Sequence, residues 1–248
     1  MSVKTILVSQ PKPETEKSPY FDLAEKYNLK IDFRPFIQVE GVSARDFREQ
    51  KVDFAKFTGI IFTSKTGVDH FFRIAEEVRY KVPETLKYFC LSEAIAFYLQ
   101  KYVVYRKRKI FYGKSTIGEL AEIVKKHKGE TFLLPCSDIL RQDIPTTLTG
   151  AGISFTKVIL YRTVAADLSD LSDVKYDMLV FFSPSGIESL FKNFPKFKQN
   201  TTRIAAFGPT TANAVIKHNL RLDVHAPQPA APSMTMAIEQ FIKAEGKK

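Results

Sequence analysis

The sequence contains no tryptophan, only two cysteines and only four histidines, and it has no apolar run long enough to cross a bilayer. Cysteines at positions 90 and 136 and histidines at 70, 127, 218 and 225 lack the close spacing of a metal site or a disulfide framework. The first residues also lack an apolar segment followed by a small-residue cleavage site. We therefore predict a soluble, unexported protein of the cytoplasm without structural zinc or disulfides.

Acidic residues are outnumbered: 37 Lys and Arg face 27 Asp and Glu, which gives a formal net charge of +10. Such a surplus favours a ligand or partner of opposite sign without choosing its chemical class. The basic runs at 106–109 and 125–128 carry no aromatic residues in a nucleic-acid-binding pattern. We interpret most of the charge as solvated surface and expect neither a nucleic acid nor a membrane as partner.

Residues 177–242 contain a strand–turn–helix unit that occurs twice. Apolar runs at 178–182 and 204–207 end at the polar turns Ser-Pro-Ser-Gly (183–186) and Gly-Pro-Thr-Thr (208–211), and each turn opens a helical apolar pattern. This alternation predicts an α/β fold with a parallel sheet covered on both faces. Both turns would lie at the carboxyl ends of strands, where hydroxyls and free helix N–H groups favour an anion.

The same unit is found earlier in the chain. Residues 60–72 align with residues 179–191 without a gap, 88–99 correspond to 204–215, and 115–124 correspond to 233–242. Within the first pair, Phe62, Ser64, Gly67 and Phe72 have identical counterparts. The repeat predicts two similar α/β domains related by duplication.

The remaining segments complete the two domains. We predict strands at 3–8, 30–33, 59–63, 87–90, 103–106, 131–134 and 154–161, and helices at 20–27, 43–51, 65–78, 92–101, 116–127 and 141–149. The segments from residue 43 onward, which form the second predicted domain, include about five strands, the number found in flavodoxin-like sheets.

Five motifs in a fixed order resemble those of the uroporphyrinogen-III synthase family. They read FTSxxGV, LYRT, FFSPSGIESLF, AAFGPTTANAV and HAPQPAAPS, and the resemblance covers nearly the whole chain. It implies two flavodoxin-like parallel-sheet domains joined by a two-strand linker, with the substrate in the cleft between them. The first domain would be discontinuous, comprising 1–34 and 167–248; the second would span 38–160, with linkers at 34–39 and 157–166.

The resemblance also implies a reaction. Members of the family close hydroxymethylbilane, a linear tetrapyrrole, into a ring with inversion of the last pyrrole and loss of water, without a metal or an organic cofactor. It further implies a monomer in transient contact with the preceding enzyme of the pathway. The alternative is a non-catalytic, two-lobed module of the same fold that binds a small anion, and the loss of Gly and Thr from the earlier copy, Cys-Leu-Ser-Glu-Ala at 90–94, favours it.

Candidate site residues follow from the same motifs. By itself Tyr161, at the end of an apolar strand, reads as a packing residue, but it coincides with the family's tyrosine, which would assist departure of the substrate hydroxyl as a proton donor. Hydroxyls at strand-to-helix turns serve equally well as helix caps. The predicted substrate-binding residues are Thr63, Ser64, Lys65, Ser183, Ser185, Gly186, Gly208, Thr210 and Thr211.

Several other polar residues keep two interpretations. Gln10 stands where the family often has a basic residue, for which Lys12 or Arg34 would substitute. Arg141 either reaches the cleft or lies on a helix surface, and His70 reads as a helix-face residue rather than a catalyst. Both cysteines read as buried strand residues, with a reactive thiol as the second reading for position 136.

Overall fold

A computed structural model of the protein describes residues 3–15, 17–171 and 175–245. Its strands are β1 (Thr5–Val8), β2 (Lys30–Phe33), β3 (Ile37–Gly41), β4 (Gly59–Phe62), β5 (Lys87–Cys90), β6 (Ile110–Tyr112), β7 (Phe132–Ser137), β8 (Phe155–Ala165), β9 (Met178–Phe181), β10 (Arg203–Phe207) and β11 (Val224–Ala226). Its helices are α1 (Pro19–Tyr27), α2 (Ala44–Glu49), α3 (Lys65–Glu77), α4 (Glu93–Tyr98), α5 (Ile117–Lys125), α6 (Asp143–Gly150), α7 (Pro184–Asn193), α8 (Pro209–Lys217) and α9 (Met234–Glu245). None of the helices in these ranges has both the length and the apolar character that a bilayer-spanning segment needs.

The described residues form two compact units. Unit 1 consists of the residues up to Gln38 together with those from Val164 onward, and unit 2 consists of Val39–Thr163. Each unit contains one sheet: β1–β2, β1–β9, β9–β10 and β10–β11 pair in parallel in unit 1, and β4–β5, β4–β7, β5–β6 and β7–β8 pair in parallel in unit 2. The predicted α/β class with two parallel sheets is confirmed.

The sheet of unit 1 has the strand order β2-β1-β9-β10-β11. Counted along the chain within the unit, this is the order 2-1-3-4-5 of flavodoxin-like folds. The direction of winding reverses between β1 and β9, and a ligand of such a sheet binds in the crevice at that reversal, beyond the strands' carboxyl ends. In unit 1 this crevice is bordered by the residues that follow β1 and β9.

The sheet of unit 2 has the order β6-β5-β4-β7-β8, with β3 added beside β8. Position by position, β4 matches β9 at the centre of each sheet, and β7 and β8 take the places of β1 and β2. The two units therefore share one arrangement of strands, but the chain enters it at a different strand in each, which is a circular permutation. The reversal of winding in unit 2 falls between β4 and β7.

Both faces of each sheet are buried because successive strand residues point to opposite sides. In β1, Ile6 and Val8 contact one core cluster and Leu7 contacts another. In β4, Ile60 and Phe62 face one cluster and Ile61 the other. Helices cover both faces, as the near-continuous apolar runs of these strands predict.

Two short edge strands differ from the predictions. A strand was predicted at residues 103–106, but Val104 is 78% exposed and β6 begins at Ile110 instead, paired with Tyr88 of β5. The basic residues 106–109 precede this three-residue strand and obscure its apolar signal. Strand β11 was not predicted, because three residues are too few to show an alternating pattern.

Candidate active site

The strand-to-helix turn after β4 is built around the side chain of Ser64. Ser64 has an extended backbone and is the N-cap of α3, and its Oγ accepts a hydrogen bond of 2.9 Å from the N–H of Gly67. A Cβ at Gly67 would lie 3.3 Å from that Oγ and 3.5 Å from the carbonyl oxygen of Pro135. The spacing of Ser64 and Gly67 therefore has a structural explanation: the serine caps the N–H of Gly67, and a side chain at Gly67 would crowd the serine. The predicted capping role of Ser64 is observed.

The hydroxyl of Tyr161 reaches the same turn from β8, since it lies 3.0 Å from Ser64 Oγ. Burial raises the pKa of the phenol, and this outweighs the opposing effect of the hydrogen bond with Ser64. The phenol is therefore protonated at neutral pH, and it loses its proton only above the pH at which tyrosine ordinarily titrates. The position of the phenol at the carboxyl ends of β4 and β7, rather than its pKa, suits it to donate a proton to a leaving group.

A β-bulge sets the position of Tyr161. Along β7 and β8, Cys136 pairs with Ile159 but the next residue, Ser137, pairs with Tyr161, so that Leu160 is an extra residue in β8. Bulges of this kind re-aim side chains and are common beside active sites. The backbone N–H of Asp138 donates to the carbonyl of Tyr161, and its carboxylate accepts from the N–H of Thr163, which holds the strand beyond the bulge.

Sequence reasoning missed two residues beside Tyr161. His70, predicted as a helix-face residue, stacks its ring on that of Tyr161 with centroids 5.2 Å apart and an interplanar angle of 19°. Arg73 donates from Nε to His70 Nδ1 at 3.0 Å. The available signal was their spacing of three residues, which places both on one face of α3.

The other two predicted residues of this turn, Thr63 and Lys65, form no described hydrogen bond with the Tyr161 hydroxyl. Thr63 is half-buried and makes no described contact with Tyr161, and Lys65 is exposed, with its ammonium 5.3 Å from the ring centroid of Tyr98. Both stay predictions as binding residues. In the described conformation the charge of Lys65 is directed to an aromatic ring.

The equivalent turn of unit 1 repeats the cap. Ser183 Oγ accepts from the N–H of Gly186 at 3.3 Å, and Pro184 occupies the first helical position of α7. Gly186 is buried, and a Cβ there would lie 3.3 Å from the ring of Phe181. Ser185 is half-buried. Ser183 and Gly186 therefore have a structural role as a pair, as Ser64 and Gly67 do.

The N-terminus of α8 has no side-chain cap. Gly208 is its N-cap residue with φ of 83°, a conformation that favours glycine, and its N–H donates to the carbonyl of Ala226. Pro209 has no N–H. Within the described part of the chain, the N–H groups of Thr210 and Thr211 have no acceptor. Two backbone donors and the positive end of the helix dipole therefore face away from the helix, as an anion requires.

The two threonines differ in position. Thr210 is exposed, whereas Thr211 is 1% exposed and its side chain belongs to the interior of unit 1. Thr210 and Thr211 both stay predictions as binding residues, and in this conformation the hydroxyl of Thr211 is buried. The group that Thr211 leaves accessible to an anion is its backbone N–H. The difference arises because Thr211 lies on the same face of α8 as the buried Val215, four residues later, whereas Thr210 is rotated away from that face.

Two of the other polar candidates have local partners. Arg34 bonds the carboxylate of Asp170 and Arg141 that of Asp143, each at 3.0 Å or less. Ser92, the earlier copy's counterpart of Gly208, precedes α4 without a capping bond, and Glu93 in its first turn disfavours an anion. No group of three His, Cys, Asp or Glu residues suitable for a metal ion occurs in the described ranges.

Neither cysteine has the surroundings of a reactive thiol. Cys90 and Cys136 are both buried, and burial raises the pKa of each thiol, that of Cys90 to about 12. The predicted burial of both is confirmed. Cys136 is the next-to-last residue of β7, and its Sγ donates to the carbonyl of Val158.

Comparison with known proteins provides independent evidence on the family of this chain. A protein from Chlorobaculum parvum named uroporphyrinogen-III synthase is 26% identical over 257 aligned residues, which cover 97% of this chain and 100% of the relative. A crystal structure of uroporphyrinogen-III synthetase from Helicobacter pylori has a TM-score of 0.60 at 17% identity, covering 97% of this chain and 99% of its own. A mutant uroporphyrinogen III synthase from Thermus thermophilus has a TM-score of 0.50 at 15% identity, with coverage of 99% and 100%.

The structural likenesses support the fold alone, because both identities are low. The assignment depends on the family model described as "Uroporphyrinogen-III synthase HemD", which matches residues 18–236 and so includes the turns at Ser64, Ser183 and Gly208 as well as Tyr161. That range is most of the chain. The chain belongs to the uroporphyrinogen-III synthase family.

Proposed function

We propose that this chain closes hydroxymethylbilane into uroporphyrinogen III, with inversion of the last pyrrole ring and release of water. The observation that carries the proposal is the family match over residues 18–236. The family acts as a cyclising lyase of tetrapyrrole biosynthesis, and the relative from Chlorobaculum parvum bears the name of that activity over its full length. The geometry around Tyr161 supports the same chemistry.

Tyr161 would act on the leaving hydroxyl of the substrate. The phenol would donate its proton as the carbon–oxygen bond breaks, so that water leaves, an electrophilic azafulvenium cation (the N-protonated azafulvene) remains, and Tyr161 becomes a phenolate. The substituted carbon of the last pyrrole then attacks the azafulvene carbon, and the resulting spiro intermediate fragments and recloses with the ring inverted. Ser64 would hold the phenol in place through its 3.0 Å hydrogen bond, and the proton released from the last pyrrole when the ring closes would restore the phenol.

Binding would depend on charge and backbone donors. The substrate carries eight carboxylates, and the chain has a formal net charge of +10. We propose that one carboxylate binds the N–H groups of Thr210 and Thr211 at the start of α8. Because the substrate cyclises unaided to the wrong isomer, holding its ends in one geometry matters more than strong activation.

Incubation with freshly made hydroxymethylbilane, followed by oxidation and isomer analysis, tests the activity. We expect uroporphyrin III as the main product and uroporphyrin I in a control without protein. The alternative is a non-catalytic anion-binding module. It is favoured by the earlier copy of the unit, which has Ser92 and Glu93 where the later copy has the Gly-Pro-Thr-Thr turn. Isomer I alone, together with measurable binding of the tetrapyrrole, would support that alternative.

Because the substrate cyclises unaided, the way in which it reaches the protein also matters. We infer that the protein acts as a cytoplasmic monomer that receives hydroxymethylbilane during transient contact with the enzyme that makes it, since a shorter time free in solution limits formation of isomer I. Gel filtration and the isomer ratio in a coupled reaction, with and without dilution of the preceding enzyme, test this inference.

A charge at position 210 tests the anion site. Thr210→Asp should weaken binding of the tetrapyrrole product by about tenfold, because a carboxylate beside the free N–H groups repels the substrate's own. The nearly isosteric Thr210→Asn should change affinity by less than about twofold. An acidic residue in the first turn stabilises a helix, so the melting temperature of the Asp variant should not fall below that of the Asn variant. Equal affinities of the two variants would remove the start of α8 from the binding site.

A further inference from the structure

Arg73 occupies the centre of a hydrogen-bonded cluster on the inner side of α3. Its Nη2 donates to the carbonyl of Val42 at 2.8 Å and to that of Leu160 at 3.3 Å, and its Nη1 contacts the carboxylate of Glu77 at 2.5 Å. A Cβ at Gly41 would lie 2.7 Å from Nη2, so the guanidinium would have to move if this residue had a side chain. Arg73 thus joins α3 to the end of β3 and to the bulge of β8.

The Nε–H of Arg73 determines the protonation state and the tautomer of His70. Arginine has only donors, so the 3.0 Å contact from Arg73 Nε requires an unprotonated Nδ1 on His70. The imidazole is therefore neutral, with its proton on Nε2. Burial and then the positive charge of Arg73 lower the pKa of His70, against the weaker effects of Asp69 and Glu77.

His70 and the bulge act on the same tyrosine. The imidazole stacks on the Tyr161 ring, while Leu160, which carries a carbonyl acceptor for Arg73, is the extra residue directly before Tyr161. One guanidinium therefore holds both the backbone that precedes the phenol and the ring that lies against it. The Tyr161 hydroxyl is separately fixed by Ser64.

We propose that Arg73 and His70 are positioning residues for Tyr161: the arginine orients the neutral imidazole, and the imidazole holds the phenol ring so that its hydroxyl faces the leaving group. The proposal rests on the proposed function. Neither residue needs to touch the substrate. Small misplacements of a catalytic group are costly in rate, which is the reason for a dedicated support of this kind.

The arrangement predicts a dependence on pH. The charged and titratable groups facing His70 are Arg73, Asp69 and Glu77 on α3 and Tyr161 on β8. A proton added to Nδ1 turns the acceptor into a donor opposite another donor and places two positive charges side by side. Turnover should therefore fall as the pH drops through the pKa of His70, in a range below the ordinary value of about 6.5.

Replacement of His70 by phenylalanine separates the hydrogen bond from the stacking. His70→Phe keeps a ring against Tyr161 but cannot accept from Arg73, so we expect turnover to fall by about three- to tenfold with a change in KM of less than about twofold. The acid limb should also disappear. His127→Phe is the matched control, because His127 packs on Phe89 and Phe111 in the same unit and also has a lowered pKa. The control should keep the rate and the pH profile.

Two further measurements distinguish this proposal from the proposed function. In a Tyr161→Phe background, His70→Phe should cause no additional loss, because its effect passes through the phenol. Independently of activity, the 15N spectrum of the histidine side chains should show His70 as the neutral Nε2–H form at pH 7. A protonated or Nδ1–H form, or an additive loss in the double variant, would overturn the positioning role. A fully active Tyr161→Phe protein would instead overturn the proposed role of Tyr161.

Discussion

Tyr161→Phe is expected to lower turnover by about ten- to a thousandfold while leaving the fold intact. The hydroxyl of Tyr161 lies 3.0 Å from Ser64 Oγ, at the carboxyl end of β4, and Tyr161 pairs with Ser137, the last residue of β7, so this phenol is the candidate acid. Loss of its hydroxyl leaves Ser64 bonded to the N–H of Gly67, so the start of α3 should remain in place. Initial rates and the fraction of isomer III measure the effect.

A second tyrosine provides the control for this variant. Tyr112 on β6 donates from its hydroxyl to Glu93 and lies at the opposite edge of the same sheet. Tyr112→Phe also removes one hydroxyl hydrogen bond but should keep the full turnover number. Both variants should melt within a few degrees of the wild type, because one hydrogen bond contributes on the order of 1 kcal/mol. Equal rates for the two variants would exclude Tyr161 from the mechanism.

Phe36→Ala should destabilise unit 1 by about 3–5 kcal/mol. The side chain is 2% exposed and packs edge-to-face on Phe181 with centroids 5.5 Å apart. The backbone carbonyl of Phe36 also accepts from the N–H of Ala166 and from the hydroxyl of Ser189. Truncation removes the buried ring and leaves a cavity where the chain leaves unit 1.

The effect should be graded and local. Phe36→Leu keeps most of the buried volume and should cost less than about 1.5 kcal/mol. A protein of two units need not unfold in one step, so hydrogen exchange of individual strands is a better measure than a single melting curve. Protection should fall in β1 and β9, which belong to the same unit as Phe36, and persist in β4 and β5. Equal losses for the Ala and Leu variants would contradict the cavity argument.

The central elements were predictable because their signals are local. The run that becomes β9, the prolines at the first positions of α7 and α8, and Ser64 as the cap of α3 all appear in the structure as the residues indicate. Each signal depends on a residue's own backbone preferences or on neighbours within one helical turn. The alignment of residues 60–72 with 179–191 likewise indicated that both units share a central strand and the following helix.

Edge strands and the bulge were not predictable by the same means. Strand β6 has three residues after a basic run, and β11 has three residues, so neither carries a periodic signal. The bulge at Leu160 depends on the register between β7 and β8, which are paired by residues more than twenty positions apart. Register is decided by the packing of whole faces.

The sequence by itself determined the fold class, the repeated unit, the family and the identity of Tyr161 as the candidate acid, because motif order and short-range periodicity are written in the chain. Only the tertiary structure decided which residues support that acid. Arg73 meets Val42 and Leu160, 31 and 87 positions away, and His70 meets Tyr161 across 91 positions. It also decided that Thr210 is exposed while Thr211 is buried. Contacts of this range exist only when the sheet and its covering helices are assembled, so no local pattern records them.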